Sequence, residues 1–424
     1  MCLNWMMTDR ELELYVHIPF CVRKCAYCDF LSFPSGTRER KEYVDALIRE
    51  IESRKENYTD CRVSTVFLGG GTPSVLDGED TARLFDALYR NFTFMENPEI
   101  TIEVNPGTVT REKVASWRKS GINRISIGLQ SVNDDELWML GRIHTYREFL
   151  NTYALVRDAG FDNINIDLIS AIPGQTVKSW KRTLRTAVEL SPEHISAYSL
   201  IIEEGTPFYD MYGETRQEGE PSDREDKRIS AGSFPSLPDE EEDREIYEQT
   251  GVILNEYGYH RYEISNYAKP GFECRHNLGY WERKEYLGLG LGASSLIRET
   301  RFHNPSDMKK YMEVFSERMP SENAAGGTEC IRTDCSAGEE EIREETETLS
   351  REEQMAEFMI LGLRKTAGIS VDEFHRIYGT GIKEVYGSQI RRFKKEGLLT
   401  EQNGMIRLTS RGIDVSNYVF CEFL

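Results

Sequence analysis

The 424-residue chain lacks three features that would assign it to common functional classes. It contains no run of 18 apolar residues, so no transmembrane helix is predicted. Its N-terminal segment lacks the basic-then-apolar order of a signal peptide, and we therefore expect a cytoplasmic protein. Basic residues are in the minority: 52 Lys and Arg against 72 Asp and Glu give a net charge of −20. With no local basic stripe evident, this balance argues against nucleic-acid binding.

Cysteine is scarce, and most of it is scattered along the chain. A cytoplasmic chain is not expected to use its nine cysteines for disulfides. Six of them are predicted to be ordinary buried or incidental thiols: Cys2, Cys61, Cys274, Cys330, Cys335 and Cys421. The other three cluster in "HIPFCVRKCAYCDF" (17–30) with the spacing C-x3-C-x2-C: Cys21, Cys25 and Cys28. No fourth cysteine lies nearby.

Three clustered thiols suit one kind of metal centre better than the others. A structural zinc ion takes four protein ligands, and a catalytic zinc bound by three thiolates would hold a water of blunted acidity. A [4Fe–4S] cluster normally takes four thiolates, so three leave one iron open to an outside ligand. The spacing therefore favours a [4Fe–4S] cluster held by these three cysteines, with zinc as the alternative.

Short β-rich apolar segments alternate with helical patterns through the first 200 residues. Six strands are predicted, at 14–18, 63–68, 99–104, 123–128, 163–169 and 194–200. This alternation predicts parallel strands joined by right-handed crossovers. We predict an α/β fold with a partial (β/α)6 barrel over residues 1–210, whose chemistry lies at the carboxyl ends of the strands.

The rest of the chain divides by composition. Two acidic, turn-rich segments are predicted to be solvated insertions, at 211–245 and 316–353. The region 246–315 between them is expected to complete the barrel. Residues 354–424 have helical spacing followed by "LLTEQNGMIRLT" (398–409), a hairpin with an Asn-Gly turn. This C-terminal unit is predicted to be a small, α-rich, winged-helix-like domain with a packing or partner role.

The cysteine spacing, with Tyr27 before the last cysteine, resembles that of the radical S-adenosylmethionine (SAM) superfamily. The resemblance implies that the amino and carboxylate groups of SAM chelate the open iron. Electron transfer from the reduced cluster then breaks a carbon–sulfur bond and releases a 5′-deoxyadenosyl radical. "FLGGGTPS" (67–74) is similar to the glycine motif of that superfamily. By this likeness Gly70, Gly71 and Thr72 meet the methionine amino group.

A narrower resemblance covers nearly the whole chain apart from the acidic segments. "YVHIPFC", "GGGTPS", "IEVNP", "RISIGLQS", "LGRIH" and "YEISNYAKPGFECRHNLGYW" are similar to motifs of the oxygen-independent coproporphyrinogen III oxidase family. Ten positions match the SAM-contacting positions of that family: Tyr15, Tyr27, Gly70, Gly71, Thr72, Glu103, Gln130, Arg142, Asp167 and Ile201.

Two departures point to one branch of this family. The oxidases carry a further cysteine where this chain has Phe30, and they have a longer segment before the cluster. Both differences resemble the HemW branch, whose members bind heme and pass it to apo-proteins such as respiratory cytochromes. The resemblance implies heme and apo-hemoproteins as partners, with contact to membranes through those acceptors. The alternative is the oxidase reaction, which decarboxylates coproporphyrinogen III.

Heme iron favours an axial His, Cys, Met or Tyr, and "CRHNLGYW" (274–281) offers several candidates together. His276 is the first candidate for the axial ligand. The competing interpretation is a histidine whose nitrogens are satisfied by hydrogen bonds inside the fold.

Overall fold

The computed structural model describes residues 10–213, 234–315 and 343–424. Most of the two predicted acidic segments lies outside the described residues, namely residues 214–233 and 316–342. The same is true of Cys2, Cys330 and Cys335.

All six predicted strands form, and shorter strands follow them. The strands of the described residues are β1 Arg10–Ile18, β2 Phe20–Cys21, β3 Phe33–Pro34, β4 Cys61–Gly70, β5 Phe94–Val104, β6 Arg124–Gln130, β7 Ile164–Ser170, β8 His194–Ser199, β9 His260–Arg261, β10 Asn266–Ala268, β11 Tyr286–Leu289, β12 Ser294–Ile297, β13 Thr300–His303, β14 Glu344–Thr348, β15 Ile369–Ser370, β16 Leu399–Gln402 and β17 Met405–Leu408.

The main sheet is an open barrel. Within the described residues its strand order is β14-β13-β12-β11-β1-β4-β5-β6-β7-β8-β10-β9. The strands from β11 to β8 in this order pair in parallel, whereas the strands at both edges are antiparallel. The predicted partial barrel is therefore confirmed. It gains one parallel strand, β11, from the region that the sequence assigns to barrel completion.

Strict alternation along the parallel strands separates an apolar layer from a polar interior. On β1, Leu12, Leu14 and Val16 are fully buried in the main hydrophobic core. The alternate residues, Glu13 and His17, belong to the buried polar set, which also includes members from β4 to β8. Because successive side chains of a strand point to opposite faces, one face packs on the helices and the other lines the barrel.

Helices cover the outer face of the barrel and build the C-terminal unit. They are α1 Thr37–Arg54, α2 Gly78–Asn91, α3 Arg111–Lys119, α4 Asp134–Met139, α5 Tyr146–Asp158, α6 Val177–Glu189, α7 Pro207–Tyr212, α8 Glu240–Glu256, α9 Arg275–Trp281, α10 Met308–Val314, α11 Arg351–Gly362, α12 Val371–Tyr378, α13 Ile382–Glu396, α14 Ser410–Asp414 and α15 Ser416–Cys421.

Local capping sets several helix starts. Thr145 accepts from the Glu148 backbone while the Glu148 carboxylate accepts from the Thr145 backbone, which is a complete capping box at α5. Asp239 caps α8 through the backbone N–H groups of residues 241 and 242. Helix α8 therefore begins inside the segment that the sequence assigns to an insertion ending at residue 245.

Helix α9 fills the end of the barrel opposite the carboxyl ends of the strands. The Glu99 carboxylate on β5 accepts from the backbone N–H groups of Arg275 and His276, each at 3.1 Å. A buried carboxylate at a helix N-terminus satisfies donors that have no partner within the helix. Gly279 lets the helix approach β1, since a Cβ there would lie 2.0 Å from the Glu13 carboxylate.

The C-terminal unit has its own hydrophobic core, which includes Met359, Phe374, Ile390 and Phe393. The predicted hairpin forms from β16 and β17, and Asn403 has the positive φ of 52° that a two-residue Asn-Gly turn requires. Strand β15 adds to the hairpin, as in a winged-helix-like arrangement. The predicted character of this unit is therefore confirmed.

Two further surface properties bear on function. Among the described residues, no helix combines the length and apolarity needed to cross a membrane. Helix α6 carries Lys178, Lys181, Arg182 and Arg185 along one groove. The expectation that no local basic stripe exists is wrong for this helix, because residues three and four apart share one helix face.

Candidate cofactor cleft

The three clustered cysteines lie in the loop that follows β1, at the carboxyl end of the barrel. Cys21 ends β2, and its Sγ atom is 3.3 Å from Thr72 Oγ1. The Cys28 backbone N–H donates to the Cys25 carbonyl at 3.3 Å, which turns the loop back on itself. All three thiols line one cleft of about 440 Å³. The structure thus brings the predicted cluster ligands to a common cavity.

The arrangement of the thiols bears on which metal centre they suit. Among the described residues, no group of three His, Cys, Asp or Glu side chains is arranged to hold a single metal ion. Three thiols line the cleft without a fourth among its described lining residues, which fits a [4Fe–4S] cluster with one iron open to an outside ligand.

The glycine run after β4 holds the start of the cysteine loop. The Gly71 N–H donates to the Ile18 carbonyl at 2.9 Å, and the Thr72 N–H donates to the Phe20 carbonyl at 2.7 Å. A Cβ atom at Gly71 would lie 2.8 Å from both the nitrogen and the oxygen of Phe20. This position therefore requires glycine because two backbone segments touch there. The N–H groups are used within the protein.

Arg142 connects the cysteine loop to the neighbouring strands. Its Nη2 atom donates to the Gly128 carbonyl at 2.9 Å and to Asn105 Oδ1 at 2.5 Å, and Nη1 lies 3.7 Å from Cys25 Sγ. Its Nε atom has no hydrogen-bond partner among the described residues. A guanidinium that lines the cleft and has one donor without a partner is suited to an anionic group such as a carboxylate.

Two carboxylates line the wall of the cleft. Burial and the nearby charge of Asp167 raise the pKa of Glu103 to about 8, although the Gly70 N–H donates to Glu103 Oε2 at 3.2 Å. Burial also raises the pKa of Asp167, against hydrogen bonds from Ser126 at 2.9 Å and Asn165 at 2.7 Å. A cationic ligand group at this wall would stabilise the ionised carboxylates.

Other predicted residues lie around the same cleft. Tyr27 and Ile201 line it, and Ile201 is 67% exposed at its mouth. Gln130 also lines the cleft, and its backbone has a φ of 70° at a register shift between β6 and β7. A non-glycine residue in this region carries backbone strain, which is common at binding sites.

Tyr15 is one of two predicted residues that do not line the cleft. Its hydroxyl is 3.0 Å from His17 Nδ1, and the other ring nitrogen of His17 is 2.9 Å from the Leu31 carbonyl. Leu31 lies just beyond the third cysteine, so this chain of contacts ties the end of the loop to β1. In this structure Tyr15 supports the loop from below.

His276 also lies away from the cleft, in the floor of the barrel. It is 1% exposed, with Nδ1 2.7 Å from Thr65 Oγ1 and Nε2 3.0 Å from the Tyr280 hydroxyl. Phe67 stacks on the ring at 5.2 Å. Both nitrogens therefore have a hydroxyl partner within the fold. This geometry favours the competing interpretation of a satisfied core histidine, and the axial-ligand role stays a prediction.

The electrostatics of this floor agree with a structural role. Burial lowers the pKa of His276 to about 3, and burial raises the pKa of Glu13 to about 9. Glu13 Oε2 is 3.7 Å from His276 Nδ1, yet both groups are neutral at pH 7, so the contact is not an ion pair.

Several residues that shape the cleft have no strong signal in the sequence. Asn105 donates to Thr72 Oγ1 at 2.6 Å and accepts from Arg142, so it links the glycine run to the guanidinium. Asn165 and Ser126 hold Asp167. Asn105 directly follows β5, whereas Ser126 and Asn165 occupy inward-facing positions within β6 and β7, and the alternation along the strands is the signal that identifies them.

The comparisons with known proteins agree with this geometry. The family model "Radical SAM superfamily" matches residues 15–187, and the model "HemN C-terminal domain" matches residues 349–415. The curated "Heme chaperone HemW" of Bacillus subtilis is 33% identical, over 97% of this chain and 98% of that protein. The protein of the same name from Lactococcus lactis is 33% identical, over 99% of this chain and 98% of that protein.

Among solved structures, coproporphyrinogen III oxidase (HemN) from Escherichia coli matches with a TM-score of 0.79. The alignment covers 98% of this chain and 90% of that one, at 23% identity, and establishes a common fold. Together with the full-length similarity to the curated relatives, it follows that this chain belongs to the HemW family of radical SAM proteins.

Proposed function

We propose that this protein is a heme chaperone that binds heme and delivers it to acceptor apo-proteins. The observation that carries the proposal is the similarity, over nearly the whole length of both chains, to curated proteins named heme chaperone HemW. We further propose that it works in the cytoplasm and meets membranes through its acceptors.

We assign the cofactors to the cleft. Cys21, Cys25 and Cys28 would hold a [4Fe–4S] cluster, because three thiols line one cavity and no fourth protein thiol joins them among the described lining residues. SAM would take the remaining iron. When bound, the reduced cluster supplies the electron that cleaves the carbon–sulfur bond of SAM.

The polar wall offers a partner for each part of SAM. Arg142, with its spare donor, would bind the carboxylate. The carbonyl groups of the glycine run and the Glu103 carboxylate would accept from the ammonium group. Asp167 and Gln130 would bind the ribose hydroxyls.

Charge supports the role of Glu103, and the other predicted residues would act as walls of the cleft or indirectly. Glu103 has a raised pKa, so an ammonium group beside it would favour loss of its proton. Tyr27 and Ile201 would supply the aromatic and apolar walls of the cleft. Tyr15 would act indirectly, through His17 and the cysteine loop.

The second candidate function is the oxidation of coproporphyrinogen III. One observation favours it: the cleft keeps a full set of polar residues for SAM, which a simple carrier has no evident need for. Phe30 stands against it, because the oxidases that this chain resembles carry a further cysteine at that place.

A two-part anaerobic experiment separates the candidates. The full-length protein is reconstituted with iron and sulfide, loaded with heme, and mixed with an apo-cytochrome whose absorbance reports heme uptake. A second sample receives SAM, a strong reductant and coproporphyrinogen III, and products are separated by chromatography. We expect heme transfer and no protoporphyrinogen. Multiple turnovers to protoporphyrinogen, without heme transfer, would refute the chaperone assignment.

A further inference from the structure

Large apolar side chains are exposed around the mouth of the cofactor cleft. Phe30 is 63% exposed and Ile201 is 67% exposed, and both line the cleft together with Tyr198. Val22 and Ile143 are also exposed, in an adjoining hollow that shares Cys25 with the cleft. Single exposed apolar residues are ordinary, but several around one opening indicate a binding surface.

Hydrogen bonds hold the backbone of Phe30 while its ring is exposed. Its carbonyl accepts from Lys24 Nζ at 3.0 Å and from Ser32 Oγ at 3.3 Å. Its backbone also hydrogen-bonds the Cys28 thiol. With its backbone held at three contacts, the ring is presented at the mouth of the cleft.

The charge of the mouth is mixed. Arg23 and Lys24 line it, and the Arg23 guanidinium reaches the Gly141 carbonyl at 2.6 Å. Asp29 and Glu203 line it as well. An extended polyanion would be repelled by these carboxylates, whereas a ligand with only a few separate carboxylates would pair with the two cations.

The wall and the mouth of the cleft differ in polarity. Its wall is polar, with Arg142, Glu103 and Asp167, and suits a zwitterion with hydroxyl groups. Its mouth presents apolar faces beside cations, and it opens to solvent, so a large flat ligand has room there. Heme combines a broad apolar macrocycle with two propionates, and heme sites have aromatic and apolar walls.

We infer that the heme cargo binds at the mouth of this cleft, with its macrocycle against Phe30 and Ile201 and its propionates paired with Arg23 and Lys24. This inference rests on the proposed function and gives it a location, which His276 in the barrel floor does not provide. Heme at this place covers the cluster loop and lies at the surface, where an acceptor protein reaches it.

The first test replaces the apolar contacts. Hemin is titrated into the full-length protein without SAM, and the Soret difference spectrum gives the affinity. The double variant Phe30→Asp/Ile201→Asp is expected to bind hemin at least about tenfold more weakly, because two carboxylates replace apolar contacts. The control Val252→Asp/Ile377→Asp changes residues that are similarly exposed, at 51% and 48%, on α8 and α12. It is expected to keep wild-type affinity. Phe30→Leu, which preserves an apolar face, is expected to stay within about twofold.

The second test addresses the propionates. Wild-type protein is expected to prefer hemin over its dimethyl ester, and Arg23→Ala/Lys24→Ala is expected to lose that preference. The control Lys178→Ala/Arg182→Ala removes two exposed cations from α6 and is expected to keep it.

The outcomes separate the inference from the function that it rests on. Wild-type protein that binds no hemin refutes the chaperone assignment together with the inference. Hemin affinity that survives Phe30→Asp/Ile201→Asp, or that falls equally in the control pair, refutes the inference alone. If the first variant does not fold, the ester comparison tests the location of heme. A preference for hemin over its dimethyl ester that is as strong in Arg23→Ala/Lys24→Ala as in wild type refutes the location.

Discussion

Replacing His276 by alanine tests whether this residue belongs to the core or to a heme site. The substitution removes hydrogen bonds to Thr65 and Tyr280, each contributing about 0.5–1.5 kcal/mol, and leaves one buried and one partly buried hydroxyl without that partner. It also removes the stacked contact with Phe67, which contributes about 0.5–1.5 kcal/mol. With the cavity that the ring leaves, we expect a loss of about 3 kcal/mol in the free energy of unfolding.

The assay pairs denaturant unfolding with hemin titration at a temperature where the variant is folded. A core role lowers the unfolding midpoint and leaves hemin affinity and the Soret position unchanged. His260→Ala is the matched control, because that ring pairs with Glu273 and is 43% exposed, so little stability depends on it. A variant with wild-type stability and an altered Soret band would refute the structural role and restore His276 as the axial ligand.

Two further substitutions test the barrel floor and the cysteine loop. Burial raises the folded pKa of Glu13 to about 9 from 4.5, so the stability that its protonated form contributes is lost as pH rises between those values. Glu13→Gln should therefore raise the free energy of unfolding by roughly 3 kcal/mol at pH 7 and by little at pH 5, and a pH-independent difference between the two proteins would contradict this. Gly71→Ala should reduce the iron bound after reconstitution, since its Cβ meets the backbone that leads to Cys21. Gly36→Ala, whose Cβ has its nearest neighbour at 3.8 Å, should bind iron normally, and normal iron content in both variants would show that the loop adapts.

The parallel strands can be predicted from the sequence because two local features mark them. One face packs on helices, so every second residue is apolar, and the strand ends carry residues with distinctive chemistry. Most predicted site residues accordingly meet at one cleft, from the cysteine loop to Asp167 on β7. Gln130 was found in the same way, although the strain in its backbone has no counterpart in the pattern.

The alternation of apolar and polar residues does not show how deep inside the barrel a side chain lies. Tyr15 has the correct inward parity, but it lies under His17 and so does not reach the cleft. The segment around His276 collects several ligand-type side chains, and sequence proximity makes them look like a site. Their environment is set by Glu99 and Thr65, which are more than 170 residues away in the chain, as the separations of 177 and 211 show. A helix that inserts beneath a barrel is a tertiary event, and no local periodicity reports it.

The two layers of the barrel interior are joined at Asn165. Asn165 Nδ2 donates to Asp167 at 2.7 Å, and its Oδ1 is 2.6 Å from His194 Nδ1. Burial lowers the pKa of His194, and with the Asn165 amide oxygen as the acceptor, Nδ1 carries the proton of the neutral ring and Nε2 accepts from the Tyr262 hydroxyl at 2.8 Å. One amide therefore contacts both layers: its oxygen faces His194 and its NH2 group faces the Asp167 carboxylate. Polar residues deep in the barrel thus hold the Asp167 carboxylate at the cleft wall, whereas a (β/α)8 barrel interior is typically filled with branched apolar side chains.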